Sequence, residues 1–198
     1  MIAIVDYGVG NLFSLSSSLK ALGLETEITG DAARLQAADR IILPGVGAFG
    51  DAKAKLDATG LVDILRAEAE KKPFLGICLG MQLLFEKSYE YGEHAGLGLL
   101  KGQVVGMAGR LPEGLKIPHM GWNALKLCKN AKLLEEGSYV YFVHSFYAEN
   151  CEDSLAAVTD YGIPITAAVE QGNIFGCQFH PEKSGNVGLE ILKKFCEV

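Results

Sequence analysis

No apolar run in this sequence is long enough to span a membrane, and no cluster of lysine and arginine forms a basic stripe. A spanning helix needs about 20 consecutive apolar residues, so a helical membrane protein is excluded. Without a basic stripe, and with a formal net charge of −6, the chain has no electrostatic footprint for nucleic acid. Five cysteines are present (Cys78, Cys128, Cys151, Cys177 and Cys196), none in CxxC spacing. An odd number without that spacing suits neither a disulfide framework nor a zinc site and fits a reducing cytoplasm. The start, Met1–Asp6, has no basic lead and no small-residue cleavage site, so it reads as a first strand and not as a signal peptide. Internal repeats, low-complexity tracts and long linkers are also missing. What remains is a chain of 198 residues, 49% apolar, with mean hydropathy +0.19. That is enough to bury a core, and residues 1–198 read as one domain.

The first half alternates strand and helix. Ile2–Val5 reads as a strand, and Asn11 to Leu22 places Leu12, Leu15, Leu19 and Leu22 on one helical face ended by Gly23. Strands are expected at Glu25–Ile28, Arg40–Leu43 and Pro73–Ile77, with helices at Asp51–Ala58, Leu61–Lys71 and Met81–Phe85. The second half changes character. Val104–Met107, Trp122–Leu127, Val140–Phe146, Leu155–Thr159, Ile165–Glu170 and Ile174–Phe179 are successive short strands. A last helix at Gly188–Cys196 turns Leu189, Leu192 and Phe195 inward. This order predicts an α/β fold: an open, mostly parallel sheet flanked by helices, with an antiparallel extension in the second half. Ligands of such sheets bind at the carboxyl ends of the strands. The segments Asp6–Asn11, Pro44–Gly50, Cys78 and His180–Glu182 then share one rim.

Gly76-Ile77-Cys78-Leu79-Gly80 places a cysteine between an apolar strand and a helix, with glycine at both second neighbours. That is the thiol form of a nucleophile elbow, in which the glycines admit a sharp turn and close backbones. A helix N-terminus there favours thiolate, the reactive form. The competing reading of the motif alone is a small buried hydrophobe. A second motif favours catalysis. An apolar strand ends at Gln178-Phe179-His180-Pro181-Glu182, and in extended backbone residues two apart point the same way. Glu182 would then hold one nitrogen of His180 while the other faces Cys78, giving nucleophile, base and orienter.

Pro44-Gly45-Val46-Gly47 is either an ordinary strand exit or an oxyanion loop; Cys78 favours the second, with a loop N–H joining that of Leu79. No Gly-Lys-Ser/Thr follows to make a phosphate cradle. Gln82 is either solvated or in contact with an amide substrate. His144 ends another strand and is a rival base, but has no carboxylate near it in sequence. His94 falls in a polar loop and reads as surface. Pro118-His119-Met120-Gly121-Trp122 carries the only tryptophan, which either packs in the core or anchors an interface.

With these residues placed, the chain resembles the class I glutamine amidotransferases from end to end. The elbow and His180-Pro181-Glu182 carry that likeness. More narrowly, Asp6–Leu12, Pro44–Phe49, Pro118–Asn123 and Gln178–Ser184 resemble the glutaminase subunits of imidazole glycerol phosphate synthase. The resemblance implies that Cys78 attacks L-glutamine, that His180 and Glu182 complete a triad, and that Leu79 with Val46 or Gly47 holds the oxyanion. It puts Gln82, His144 and Ser145 against the substrate. Asn11, Met120, Trp122, Tyr141 and Lys183 fall near a (βα)8-barrel cyclase subunit, to which the ammonia passes in a heterodimer. That cyclase makes imidazole glycerol phosphate and aminoimidazole carboxamide ribotide in histidine biosynthesis. Activity is expected to be coupled to the cyclase site, and no cofactor or metal is implied. The glutaminase of pyridoxal phosphate synthase would show Glu-Ser after two glycines, where this chain has Val46-Gly47-Ala48. A paralogue feeding another synthase and a stand-alone cysteine hydrolase remain as alternatives.

Overall fold

The computed structural model describes residues 1–198 and is organised by one large sheet. In chain order its elements begin β1 (Ile2–Val5), α1 (Leu12–Ala21), β2 (Thr26–Thr29), α2 (Ala32–Ala37), β3 (Arg40–Leu43), α3 (Phe49–Ala58), α4 (Val62–Ala69) and β4 (Phe74–Ile77). Next come α5 (Leu79–Leu83), β5 (Phe85–Ser88), β6 (His94–Ala95), β7 (Leu100–Gly106), β8 (His119–Ala124), β9 (Lys126–Leu127) and β10 (Tyr139–His144). The chain ends with β11 (Phe146–Glu149), β12 (Leu155–Asp160), β13 (Pro164–Gln171), β14 (Ile174–Cys177), a 3-10 turn at Pro181–Lys183 and α6 (Gly185–Glu197).

The large sheet has eight strands in the order β2-β1-β3-β4-β14-β13-β12-β9. The first five are mutually parallel, and β13, β12 and β9 run antiparallel at the far edge. The expected parallel sheet with an antiparallel extension is therefore present. The remaining strands leave it: β11-β7-β5-β6 form a second sheet, and β8 with β10 a two-stranded ribbon.

Alternation along the buried strands divides the core in two, as it must in a sheet covered on both faces. Ala3, Val5, Ile41, Leu43 and Phe74 face Leu35 of α2, Phe49 and Leu56 of α3 and Leu65 of α4. Ile2, Ile4, Ile42, Leu75 and Ile77 face Leu15 and Leu19 of α1 and Ile191, Leu192 and Phe195 of α6.

Several local expectations need correction. Helix α2 was not expected; Asp31 Oδ1 caps it by accepting from the Arg34 N–H at 3.0 Å. Short polar helices carry little apolar period, so the cap is their main signal. The helix placed at Met81–Phe85 is α5 at Leu79–Leu83, and Phe85 opens β5 instead. Val140–Phe146 divides at Ser145 into β10 and β11, which belong to different sheets. In α6 the buried positions are Gly188, Ile191, Leu192 and Phe195, while Leu189 is only half-buried. His94 is not in a surface loop: it lies in β6, half-buried, with its ring 6.5 Å from that of Phe49.

Candidate active site

Because β1, β3, β4 and β14 are parallel, their carboxyl ends share one rim, and the four segments expected there do meet. The chain leaves β1 for β2 on one side and for β3 on the other, so the rim holds a topological switch point, the usual place for a ligand crevice. A cleft of about 380 Å³ opens there, lined by Val46, Gly47, Cys78, Leu79, Gln82 and His180 among others.

Cys78 sits between β4 and α5 with φ 54° and ψ −112°, a left-handed backbone that side chains other than glycine rarely adopt. Strain of this kind persists only where the surroundings over-determine it. They do here: a Cβ on Gly80 would lie 1.8 Å from the Leu43 carbonyl oxygen, and one on Gly76 would lie 2.7 Å from Met81 Cα. A Cβ on Gly45 would come within 2.7 Å of the Gly80 nitrogen, so the loop after β3 is pressed onto the elbow. Helix α5 is only five residues long. Its contribution is therefore local: the N–H groups of its first turn, that of Leu79 included, lack intrahelical acceptors.

His180 Nδ1–H donates to Glu182 Oε1 at 2.9 Å, and both side chains are about 97% buried. Its pKa is shaped first by burial, which works to lower it. Hydrogen bonds to Cys78 and Glu182 and the negative charge of both outweigh this and raise it to about 9. The pairing is as expected but the backbone is not. Only His180 is extended; Pro181–Lys183 forms a 3-10 turn that folds Glu182 back under the imidazole. Tyr7 is buried against the loop after β3. Its phenol, pushed well up by burial and by Cys78, stays neutral and donates to the Pro44 carbonyl at 2.8 Å.

The loop after β3 is anchored at both ends and free in the middle. Pro44 is held by Tyr7, and the Phe49 N–H donates to Glu90 Oε2 at 2.7 Å. Between them Val46 and Gly47 are exposed on the cleft wall, and Gly47 has φ +88° with no atom within 4 Å of a would-be Cβ.

Of the expected substrate contacts, Gln82, His144 and Ser145 all line the cleft. The His144 ring is nevertheless fully engaged by protein. Its Nδ1–H donates to the Phe146 carbonyl at 2.8 Å, and Nε2 lies 3.1 Å from Nδ1 of His119. Burial drives its pKa down to about 3, so it is neutral. His144 is thus no rival to His180 as base, and no ring nitrogen of it is left for a substrate. Glu90 and Tyr91 also line the cleft and were not singled out in the sequence. Nothing in the spacing marks Glu90; burial raises its carboxyl above the usual range.

Among the residues expected at an interface, Met120 and Trp122 are exposed on the outer face of β8, and Trp122 packs edge-on against Tyr141 of β10 with centroids 6.0 Å apart. Lys183 is exposed at the mouth of the cleft. Asn11 precedes α1 and borders a small cavity shared with Val46 and Glu182. No group of three or more His, Cys, Asp or Glu side chains is arranged to hold a metal ion. No helix is long and apolar enough to cross a membrane.

The family model described as Glutamine amidotransferase class-I matches residues 3–198. The chain is 53% identical over 203 residues to Imidazole glycerol phosphate synthase subunit HisH of Caldanaerobacter subterraneus subsp. tengcongensis, covering 100% of this chain and 98% of that protein. It is 50% identical over 204 residues to the protein of the same name from Wolinella succinogenes, covering 100% of both. It is also 50% identical to that of Methanothermobacter thermautotrophicus over 201 residues, covering 100% and 98%. Among solved structures, a chain described as glutamine amidotransferase aligns with TM-score 0.78 at 20% identity, covering 100% and 98%. PurLQS from Thermotoga maritima aligns with TM-score 0.76 at 24% identity, covering 99% and 97%. At those identities the structural matches establish the fold alone.

Proposed function

Since the chain belongs to the class I glutamine amidotransferases, we propose that it is the glutaminase subunit of an imidazole glycerol phosphate synthase, serving histidine biosynthesis. The observation that carries the chemistry is the strained Cys78 elbow beside a His180 held by Glu182 at 2.9 Å. The relatives' names carry the pathway.

Cys78 thiolate attacks the side-chain amide carbon of L-glutamine; the C–S bond forms and the carbonyl electrons move to oxygen. Leu79 N–H and an N–H of Val46 or Gly47 stabilise that oxyanion. As the C–N bond breaks, His180 in its protonated form gives its proton to the departing nitrogen, and ammonia leaves. A water then attacks the γ-glutamyl thioester, His180 takes its proton, and the electron pair of the C–S bond returns to sulfur as glutamate forms. Glu182 stabilises the imidazolium. Glu90 supports this reading, since a buried carboxyl on the cleft wall suits the α-ammonium of glutamine. Ser145 and His144 line the same cleft, which supports them as further substrate contacts, His144 through its backbone because its ring nitrogens are engaged.

The ammonia passes to a cyclase subunit of (βα)8 form, docked over the rim through Asn11, Met120, Trp122, Tyr141 and Lys183. The exposed Met120–Trp122 face supports this docking, as aromatic and methionine side chains are favoured anchors. The switch is the peptide between Val46 and Gly47. Flipping it changes φ of Gly47, which a glycine tolerates in either sign, so the donor turns inward when partner and ligand bind. Copurification from the native cell tests the assignment. A barrel cyclase that makes imidazole glycerol phosphate when the pair is fed glutamine is the expected result. A different synthase in its place would make the chain a paralogue, and glutamine hydrolysis at the full rate with no partner, unchanged when one is added, would make it a stand-alone hydrolase.

A further inference from the structure

Gln178 has no part in the triad, yet it is fully buried and its side-chain Nε2 lies 3.8 Å from Cys78 Sγ. Its other amide atom, Oε1, accepts from Gln82 Nε2 at 3.0 Å. The same Gln82 nitrogen donates to the Phe146 carbonyl at 3.1 Å, and that carbonyl also accepts from His144 Nδ1 at 2.8 Å. A carbonyl oxygen can only accept. It therefore demands the nitrogen of Gln82, and Gln82, having spent its two N–H groups, demands the oxygen of Gln178. The nitrogen of Gln178 is left facing the sulfur. The orientation of both amides follows from one fixed acceptor on the backbone.

We propose that Gln178 is a catalytic residue that donates an N–H to the sulfur of Cys78, and that Gln82 is the positioning residue that keeps the donor, not the carbonyl, turned toward it. This rests on the reading of Cys78 as the nucleophile. A donor at the sulfur favours thiolate over thiol before attack. It receives the same charge again when the thioester breaks and the electron pair returns to sulfur. A reversed amide would set a carbonyl dipole against that charge. The titratable groups around the sulfur are Tyr7 after β1, Cys177 on β14, and His180 with Glu182 after β14. His144, Glu90 and Lys183 share the cleft. Of the side chains in contact with the sulfur, Gln178 is the donor that does not titrate, so it acts at every pH.

The test is the pH profile of alkylation of Cys78 by iodoacetamide in the full chain, without glutamine, read on the Cys78 peptide by mass spectrometry. Gln178→Met removes the donor at similar volume, and its profile midpoint should move up by about one pH unit. Gln82→Glu should shift the midpoint upward more than Gln82→Met. The carboxylate is repelled by the Phe146 carbonyl, and it accepts from Gln178, turning that amide's oxygen to the sulfur. A midpoint in Gln178→Met equal to wild type, in a variant with an unchanged thermal midpoint, overturns the proposal. If Gln178→Met does not fold, equal shifts in the two Gln82 variants overturn it. The two readings fail separately. An unshifted profile in an enzyme that hydrolyses glutamine rejects the amide relay alone. A shifted profile in a chain that never hydrolyses glutamine rejects the glutaminase and leaves the relay standing.

Discussion

The two flanks of the cleft are built to different standards of constraint. On the nucleophile flank Gly76 and Gly80 press against neighbouring backbone, Cys78 is held at φ 54°, and His180 is wedged against Glu182. On the oxyanion flank Val46 and Gly47 stand exposed between two anchors, and a Cβ on Gly47 would touch nothing within 4 Å. Close packing transmits strain and fixes geometry, whereas an unpacked glycine leaves two peptide orientations close in energy. On the proposed mechanism, the packed flank holds the nucleophile ready in the free chain, and the loosely packed flank is where a partner would set the oxyanion donor.

The largest effect that tests this difference falls on Cys78. Cys78→Ala should abolish glutamine hydrolysis, measured as glutamate release, while synthesis from added ammonium salt by the complex continues, since that chemistry lies in the other subunit. Next come the two glycines that embody the contrast. Gly80→Ala must displace the Leu43 carbonyl, 1.8 Å from the new Cβ, and should cost about 3 kcal/mol or more in urea denaturation. Gly47→Ala meets open space and should cost only about 1–2 kcal/mol, the strain of a left-handed backbone. Its signature should be a smaller ratio of stimulated to basal glutaminase rate. Equal destabilisation by the two would erase the distinction between the flanks.

The third effect is a pH limb. In the proposed mechanism His180 is protonated to release ammonia, and Cys78 and Glu182 hold its pKa up to about 9, so the rate should fall as pH rises through about 9. Glu182→Gln removes one of those supports and should bring the same limb to lower pH, visible in kcat/KM of the complex. The shift also predicts a stability contribution present in full below the unfolded pKa of about 6.5 and lost as pH rises through the folded value. The smallest effects lie at the rim. Trp122→Ala should weaken assembly, read as a complex Kd raised at least about fivefold, as for loss of an aromatic anchor worth more than 1 kcal/mol. Lys183→Ala should leave Kd nearly unchanged but consume more glutamine per cyclised product, because a rim charge contributes alignment more than affinity.

How much of this was legible in the sequence follows the same contrast. Strands β1, β3 and β4 could be placed within a residue because a buried parallel strand is an uninterrupted apolar run, and the elbow could be read because close approach demands glycine at two particular positions. The His180–Glu182 contact was legible as a pairing but not as a geometry, since a spacing of two is satisfied equally by a strand and by the 3-10 turn that Pro181 opens. Helix α2 has a single buried apolar side chain, Leu35, so it offers no period to read. The second half was legible as strands and not as sheets: whether β10 continues into β11 is decided at Ser145 by which partner each strand finds, β8 or β7. Gln178, Glu90 and the engagement of His144 with His119 were invisible, because each depends on contacts between residues far apart in the chain.

The central claim is that the nucleophile flank is complete and the oxyanion flank is not. The most direct measurement is the glutaminase rate of the chain alone, against its rate with the cyclase subunit and that subunit's nucleotide ligand. Gaining one oxyanion donor predicts stimulation of roughly 100- to 1,000-fold, with the basal rate still dependent on Cys78. A free chain that already hydrolyses glutamine at the full rate, unchanged by partner and ligand, would contradict the account.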